Sequence, residues 1–143
     1  MTTHATGAFT FAGWEESPAG EVEGAARLAH ARVTNHFTGA IEAAGTSCEY
    51  TIVYTSGTTG VFAGYEQIDG ALDGRKGSFV LTQRGHFDEE GTVHCAFEVL
   101  AGASGGALAG LSGKGAFTAR RGEKEIAYAL DYDLGPAGAV HPN

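Results

Sequence analysis

The chain has 143 residues, with 9 Lys or Arg against 17 Asp or Glu, so its formal net charge is −8 with neutral histidine. This length fits one domain, and the acidic balance argues against nucleic acids and anionic membranes, which require clustered basic side chains. With 23 Gly, 3 Pro and 43% hydrophobic residues, the composition indicates a globular chain rich in turns and predicts an all-β domain.

Alternating apolar and polar residues predict eight strands separated by glycine-containing turns. The strands are expected at residues 5–15, 27–38, 45–55, 60–72, 77–88, 92–100, 107–117 and 125–134. A helix is plausible only within residues 18–30, but Gly20 and Gly24 weaken that prediction, and we interpret the segment as a long loop. Residues 102–106 are interpreted as a hairpin turn.

Short connections imply antiparallel neighbours, and closing the sheet into a barrel removes its two exposed edges. We therefore expect a single eight-stranded antiparallel β-barrel over residues 4–134. A barrel of about eight strands is wide enough to hold one small ligand, and we expect a central cavity here. Residues 135–143 are expected to form a flexible C-terminal tail.

Glu66 is the most informative polar residue of the predicted interior. Alternate residues of a strand share a face, so Glu66 falls on the apolar side with Phe62, Ile68 and Leu72. A carboxylate among apolar groups must find a partner or keep its proton, and either state suits acid/base chemistry. Alternatively, a register slip turns Glu66 to solvent, or it is a core acid bound to a tyrosine.

Other strands direct further polar and aromatic groups to the same interior. The predicted ligand-contacting residues are Asn35, Tyr50, Tyr54, Gln83, Phe97 and Tyr128. The two amides would hold a ligand oxygen, and the tyrosines would donate hydrogen bonds or simply belong to the core. Trp14 is expected to be exposed or to line a rim.

Cys48 and Cys95 lie 47 positions apart, and neither belongs to a CxxC or other metal-ligand motif. The start of the sequence lacks the pattern of an export signal, so reduced thiols in the cytoplasm are expected rather than a disulfide. Cys95 is predicted to act as a small buried hydrophobe. The 6 histidines lack metal-binding spacing, and no apolar stretch reaches the ~18 residues that a bilayer span requires. We expect no metal and no cofactor.

Several motifs resemble a bacterial family of unknown function over almost the whole chain. They are Gly7-Ala8-Phe9, Trp14, Phe37-Thr38-Gly39, the G-A-L-D-G-R-K-G-S-F-V-L stretch at residues 70–81, Gly110-Leu111 and Leu130-Asp131-Tyr132-Asp133. The resemblance implies an eight-stranded barrel with a central cavity, similar to allene oxide cyclase. Glu66 matches a glutamate of the family's central strand. Where the family pattern has a histidine after Phe-Val-Leu-x, this chain has Gln83, which argues against proton transfer at that position.

Our leading hypothesis is a cofactor-independent isomerase or cyclase that acts on an apolar, oxygen-bearing substrate, with Glu66 as general acid/base. The reaction class rests on analogy with barrels of this kind. The alternatives are a non-catalytic carrier of a hydrophobic metabolite and a structural oligomer with a filled core. The family resemblance favours a homo-oligomer.

Overall fold

The computed structural model describes residues 2–135, which form ten β-strands and no α-helix. The strands are β1 (Thr3–Gly20), β2 (Arg27–Gly39), β3 (Ile41–Ala44), β4 (Ser47–Tyr54), β5 (Gly60–Leu72), β6 (Arg75–Phe87), β7 (Val93–Val99), β8 (Gly105–Gly106), β9 (Ser112–Ala119) and β10 (Ile126–Asp133). All pairings are antiparallel within one sheet, which confirms the all-β prediction. The predicted tail lies, except for Gly135, outside the described residues. No helix of the described part is long and apolar enough for a membrane span.

The strand pairings make the sheet ring-like. Neighbouring strands follow the order β3-β5-β4-β2-β1-β10-β9-β7-β6-β8, and β5 also pairs with β6. The first and last long strands of the sequence, β1 and β10, are neighbours in this order, with Thr3 opposite Tyr132 and Phe9 opposite Ile126. A sheet that returns to itself in this way leaves few backbone groups unpaired at its edges.

Two short strands, β3 and β8, add to the eight that the sequence predicts. β3 pairs with β2 and β5, and Gly106 and Gly105 of β8 pair with Gly77 and Ser78 of β6. The interpretation of residues 102–106 as a simple hairpin turn is therefore wrong. The strand predicted at residues 107–117 begins only at Ser112. The residues before it form turns, and one of these is closed by a hydrogen bond of 3.2 Å from Leu108 N to Gly105 O.

The segment interpreted as a long loop, residues 18–30, is largely strand. β1 continues to Gly20 and β2 begins at Arg27, so only residues 21–26 lie between them. The β1–β2 register shifts between Ala12 and Glu15, where Gly13 has a φ of 70°. A shift of this kind is a β-bulge, which bends the strand and redirects its side chains. Trp14 lies within this bulge.

The predicted inward faces are confirmed. Every second residue from Ala29 to Phe37 in β2 is buried, and the residues between them are half-buried or exposed. Glu66 has only 1% of its surface exposed on the inner face of β5. The register slip considered for Glu66 therefore does not occur.

The core divides into two clusters along the strands. The packed cluster contains Ala5, Phe9, Phe37, Ile41, Ala43, Ile68, Leu72, Phe79, Leu81, Phe97, Val99, Leu108, Leu111, Ile126, Tyr128, Leu130 and Tyr132. The pocket cluster contains Ala29, Ala31, Val33, Cys48, Tyr50, Ile52, Phe62 and Cys95. Buried polar residues mark the change from one cluster to the other, since Asn35 follows Val33 and precedes Phe37, and Glu66 lies between Phe62 and Ile68.

Candidate functional site

Glu66 is the centre of a buried hydrogen-bond network that we call the polar layer, formed by Asn35, Thr46, Tyr50, Glu66 and Gln83. Oε2 of Glu66 accepts hydrogen bonds from Asn35 Nδ2 at 2.8 Å and from Thr46 Oγ1 at 2.5 Å. Oε1 accepts one from Gln83 Nε2 at 2.6 Å. All three partners donate to the carboxylate, so both oxygens of an ionised Glu66 are satisfied by the protein itself.

Tyr50 and Gln83 meet across a glycine. In the register of β4, β5 and β6, both residues are partners of Gly64. Because Gly64 has no side chain, the Tyr50 hydroxyl reaches Gln83 Oε1 at 2.6 Å. The Cys95 thiol contacts the same oxygen at 3.7 Å. With its oxygen held in this way, the Gln83 amide turns its nitrogen towards Glu66.

Asn35 and Thr46 are positioned by the turn between β3 and β4. The backbone oxygen of Asn35 accepts hydrogen bonds from Gly45 N at 3.1 Å and Thr46 N at 2.9 Å. In return, Asn35 N donates to Thr46 Oγ1 at 3.2 Å. Gly45 has a φ of 83°, a left-handed conformation that glycine adopts without steric cost. The turn therefore brings the Thr46 hydroxyl to Glu66.

Burial and hydrogen bonding act in opposite directions on the pKa of Glu66. Loss of hydration raises this pKa, and the hydrogen bonds from Thr46, Asn35 and Gln83 lower it, with burial the larger effect. The pKa of the Glu66 carboxyl is accordingly raised above its usual value. Burial also raises the pKa of the Tyr50 phenol, which stays protonated and able to donate to Gln83 at neutral pH.

Both thiols of the inner face are protonated at neutral pH. Burial, followed by the neighbouring Glu66, raises the pKa of Cys95 to about 12. The same two causes raise the pKa of Cys48 still further. Because the thiolate is the nucleophilic form, neither cysteine is suited to covalent catalysis. Both are free and buried, as predicted for Cys95.

A pocket with a volume of about 410 Å³ lies on the pocket-cluster side of the polar layer. Its walls carry Phe9, Phe11, Trp14, Val33, Asn35, Tyr50, Ile52, Tyr54, Phe62, Phe87, Gly91, Val93, Phe117, Ala119, Arg120, Arg121, Gly122, Glu123 and Ile126. Ligand pockets of roughly 300–1,000 Å³ are typically apolar with a few oriented polar groups, and this lining has that character. Asn35 and Tyr50 belong to both the pocket wall and the polar layer.

The bulge in β1 brings Trp14 over the pocket. Its ring centroid lies 6.3 Å from that of Tyr50, although 47% of Trp14 remains exposed. Trp14 Nε1 donates to Glu16 Oε1 at 3.1 Å, and the Tyr54 hydroxyl donates to the other oxygen of Glu16. The Arg27 guanidinium stacks on the Tyr54 ring at 4.0 Å. These contacts tie the end of β1 to β4 at the pocket mouth, in agreement with the rim position expected for Trp14.

The model of a family described as protein of unknown function, DUF3224, matches residues 5–132. The chain belongs to the DUF3224 family. The chain is similar to a DUF3224 protein of unknown function from Shewanella oneidensis MR-1, whose crystal structure has been solved. The two structures superpose with a TM-score of 0.76, and the two sequences are 26% identical. The match covers 95% of this chain and 100% of the Shewanella chain. No curated protein matches the chain.

The family assignment confirms the resemblance to a family of unknown function. Among the residues predicted to contact a ligand, this DUF3224 protein places Asn35, Tyr50 and Tyr54 in the pocket wall. Gln83 and Glu66 do not line this pocket and belong to the buried part of the polar layer, whereas Gln83 and Phe97 border a second cavity of about 650 Å³.

Phe97 and Tyr128, also predicted as ligand contacts, lie in the packed cluster rather than in the pocket wall. The Tyr128 hydroxyl accepts a hydrogen bond from Ile41 N at 2.8 Å and donates to Thr38 O at 3.3 Å. In this DUF3224 protein the Tyr128 hydroxyl therefore hydrogen-bonds backbone groups at the start of β3 and is not directed at a ligand in the pocket.

Sequence reasoning misses two groups of site residues in the DUF3224 chain. Thr46 precedes β4 in a turn, where period-two phasing assigns no face, and only the adjacent Gly45 hints at a special conformation. Arg120 and Arg121 lie in the turn between β9 and β10. No group of three or more potential metal ligands occurs among residues 2–135.

Proposed function

We propose that this protein binds a small apolar molecule in the aromatic pocket. The observation that carries this proposal is the change along the strands from a filled cluster to a pocket of about 410 Å³ walled by rings. We also propose that the eight longer strands form a closed barrel around a ligand cavity, in keeping with the resemblance to allene oxide cyclase barrels. These strands are β1, β2, β4, β5, β6, β7, β9 and β10.

Asn35 supplies the polar contact that orients the ligand. Its Nδ2 donates to Glu66, whereas its Oδ1 accepts no hydrogen bond from any residue of the described chain. Because Asn35 lines the pocket, this oxygen is available to a hydroxyl or amine of the bound molecule. The polar layer then acts as a rigid floor that keeps the acceptor pointing into the pocket.

Binding has more support from the geometry than catalysis by Glu66. A general acid or base needs hydrogen-bond reach to the reacting atom. Glu66 is not part of the pocket wall, and its two oxygens are occupied by Asn35, Thr46 and Gln83. The isomerase or cyclase hypothesis with Glu66 as catalyst stays a prediction.

A fluorescence titration with neutral N-phenyl-1-naphthylamine tests the binding proposal. Wild-type protein is expected to bind the dye saturably at one site, because the ring-lined pocket removes its apolar surface from water. Ala119→Trp fills the wall near the mouth and should abolish binding. Ala127→Trp adds the same ring at an exposed position of β10 and should retain it. Absence of saturable binding to the wild type, or equal binding to both variants, would refute the proposal.

A further inference from the structure

Two arginines at the pocket mouth have no carboxylate partner in the described part of the chain. Arg120 and Arg121 lie in the turn that joins β9 to β10, and both line the pocket. Within residues 2–135, no carboxylate lies within ion-pair distance of either guanidinium. Each is therefore free to receive an anion from solution.

Arg121 is held against a neighbouring turn. A methyl group at Gly91, in the turn between β6 and β7, would lie 2.7 Å from both Nε and Nη2 of Arg121. The absence of a side chain at Gly91 thus lets the guanidinium pack on the backbone of that turn. Gly91 itself lines the pocket, so Arg121 spans the two turns that border the mouth.

The acidic residues around the mouth are engaged elsewhere. Glu123 Oε1 accepts a hydrogen bond from Arg120 N at 2.7 Å. Glu16 accepts hydrogen bonds from Trp14 and Tyr54. On a chain with a net charge of −8, the wall of this apolar pocket carries two arginines against one glutamate, Glu123, so its local charge is positive.

We propose that the ligand of this pocket is an apolar monocarboxylate, with its hydrocarbon body among the rings and its carboxylate paired with Arg120 and Arg121. This inference rests on the proposed binding function and names its ligand class. The planar guanidinium presents parallel N–H donors that match the two oxygens of a carboxylate. A neutral isostere keeps the apolar contacts and loses the charge-assisted hydrogen bonds.

Calorimetric titration with 4-phenylbutyrate and 4-phenylbutanamide at low salt tests the inference, since the two compounds have nearly the same shape and differ in charge. The wild type is expected to bind the acid about tenfold more tightly than the amide, as charge-assisted hydrogen bonds warrant. The double variant Arg120→Met/Arg121→Met should bind both compounds equally, with the amide affinity unchanged. Arg84→Met removes one exposed charge from β6, away from the mouth, and should preserve the preference. Added salt should reduce the acid's advantage in the wild type.

The outcomes separate this inference from the function on which it rests. Equal binding of acid and amide to the wild type, or a preference that survives in the double variant, would overturn the carboxylate assignment and leave the apolar pocket standing. Binding of N-phenyl-1-naphthylamine without binding of either phenyl compound would also overturn it. Failure of all three compounds would remove the proposed function together with the inference.

Discussion

Glu66 is almost completely buried, and its carboxylate accepts three side-chain hydrogen bonds. Burial disfavours the charged form, and the three donors favour it. Because burial has the larger effect, the folded protein binds the Glu66 proton more tightly than the unfolded chain does. The carboxyl therefore links stability to pH.

Replacing Glu66 by Gln should remove this linkage. A raised folded-state pKa contributes stability below the unfolded value of about 4.3, and this contribution is lost as pH rises through the folded pKa. The wild-type free energy of unfolding should thus fall relative to that of Glu66→Gln as pH increases from about 4. Urea denaturation of both proteins across a pH series measures the difference. A wild-type free energy of unfolding that rises relative to that of Glu66→Gln as pH increases would instead mean that the hydrogen bonds outweigh burial.

Tyr50→Phe tests the contact between the pocket wall and the polar layer. The change removes the donor to Gln83 Oε1 and leaves that buried oxygen with only the weak Cys95 thiol. We expect a loss of about 1–2 kcal/mol in the free energy of unfolding. Tyr54→Phe is the matched control, because Tyr54 is only half-buried and bonds an exposed Glu16. Equal losses in the two variants would contradict a special role for the buried hydroxyl.

At the scale of the strands, Gly64 sets the spacing of β4, β5 and β6. It is the shared partner of Tyr50 and Gln83, and a methyl group there would lie 1.9 Å from the backbone oxygen of Glu49. Such an approach cannot be relieved by rotating a side chain. The strands must separate instead, which would also break the Tyr50–Gln83 contact.

Gly64→Ala should therefore lower the free energy of unfolding by about 1–3 kcal/mol, the range typical of overpacked core positions. Gly57→Ala is the control, since nothing lies within 4 Å of its added methyl group. The control should be neutral or slightly stabilising, because alanine restricts the unfolded chain. Thermal unfolding followed by circular dichroism distinguishes the two, and similar midpoints would refute the steric argument.

The inward faces were predictable because each long strand alternates over many residues. β5 shows this best, where Phe62, Glu66, Ile68 and Leu72 are all buried at even spacings and the half-buried Gly64 and Gly70 fill the positions between them. β3 and β8 were not predictable, since four and two residues are too short for a pattern. Their pairing depends on distant strands, as β8 with Gly77 shows.

Some predicted ligand contacts line the pocket and others do not, and the difference depends on where each residue lies along its strand. Period-two phasing states which face a side chain occupies and nothing about the cluster to which it belongs. Tyr50 and Phe97 are both inward and buried, yet one lines the pocket and the other packs in the filled cluster. Arg120 and Arg121 escape prediction for a related reason, because only tertiary closure brings their turn to the mouth.

For the whole molecule, the pairing of β1 with β10 is the contact that makes the sheet ring-like. Residues 3–9 of the first strand pair with residues 126–132 of the last. The strand ends at Thr3 and Asp133 are consequently close in space, and a short antiparallel connection can join them. Residues 21–26, which connect β1 to β2, are exposed.

A circular permutant tests this closure. Joining Asp133 to Thr3 through a short glycine-rich linker and opening the chain at residue 24 keeps every strand pairing. We expect a monodisperse protein with the circular dichroism spectrum of the parent, because exposed loops tolerate new ends. A variant that ends at Glu125 lacks β10, exposes the edges of β1 and β9, and should aggregate. A well-folded truncation would contradict the structural importance of the β1–β10 seam.

The β1–β10 pairing also determines how long one edge of β1 stays unpaired while the chain is being synthesised. β1 is synthesised first, but its partner in residues 126–132 leaves the exit tunnel after every other strand. At about 5–20 residues per second, the nascent chain spends several seconds with the edge of β1 uncovered. During that interval β1 is open to pairing with neighbouring nascent chains on the same polysome, so the rate of translation and the supply of chaperones would influence the yield of folded protein.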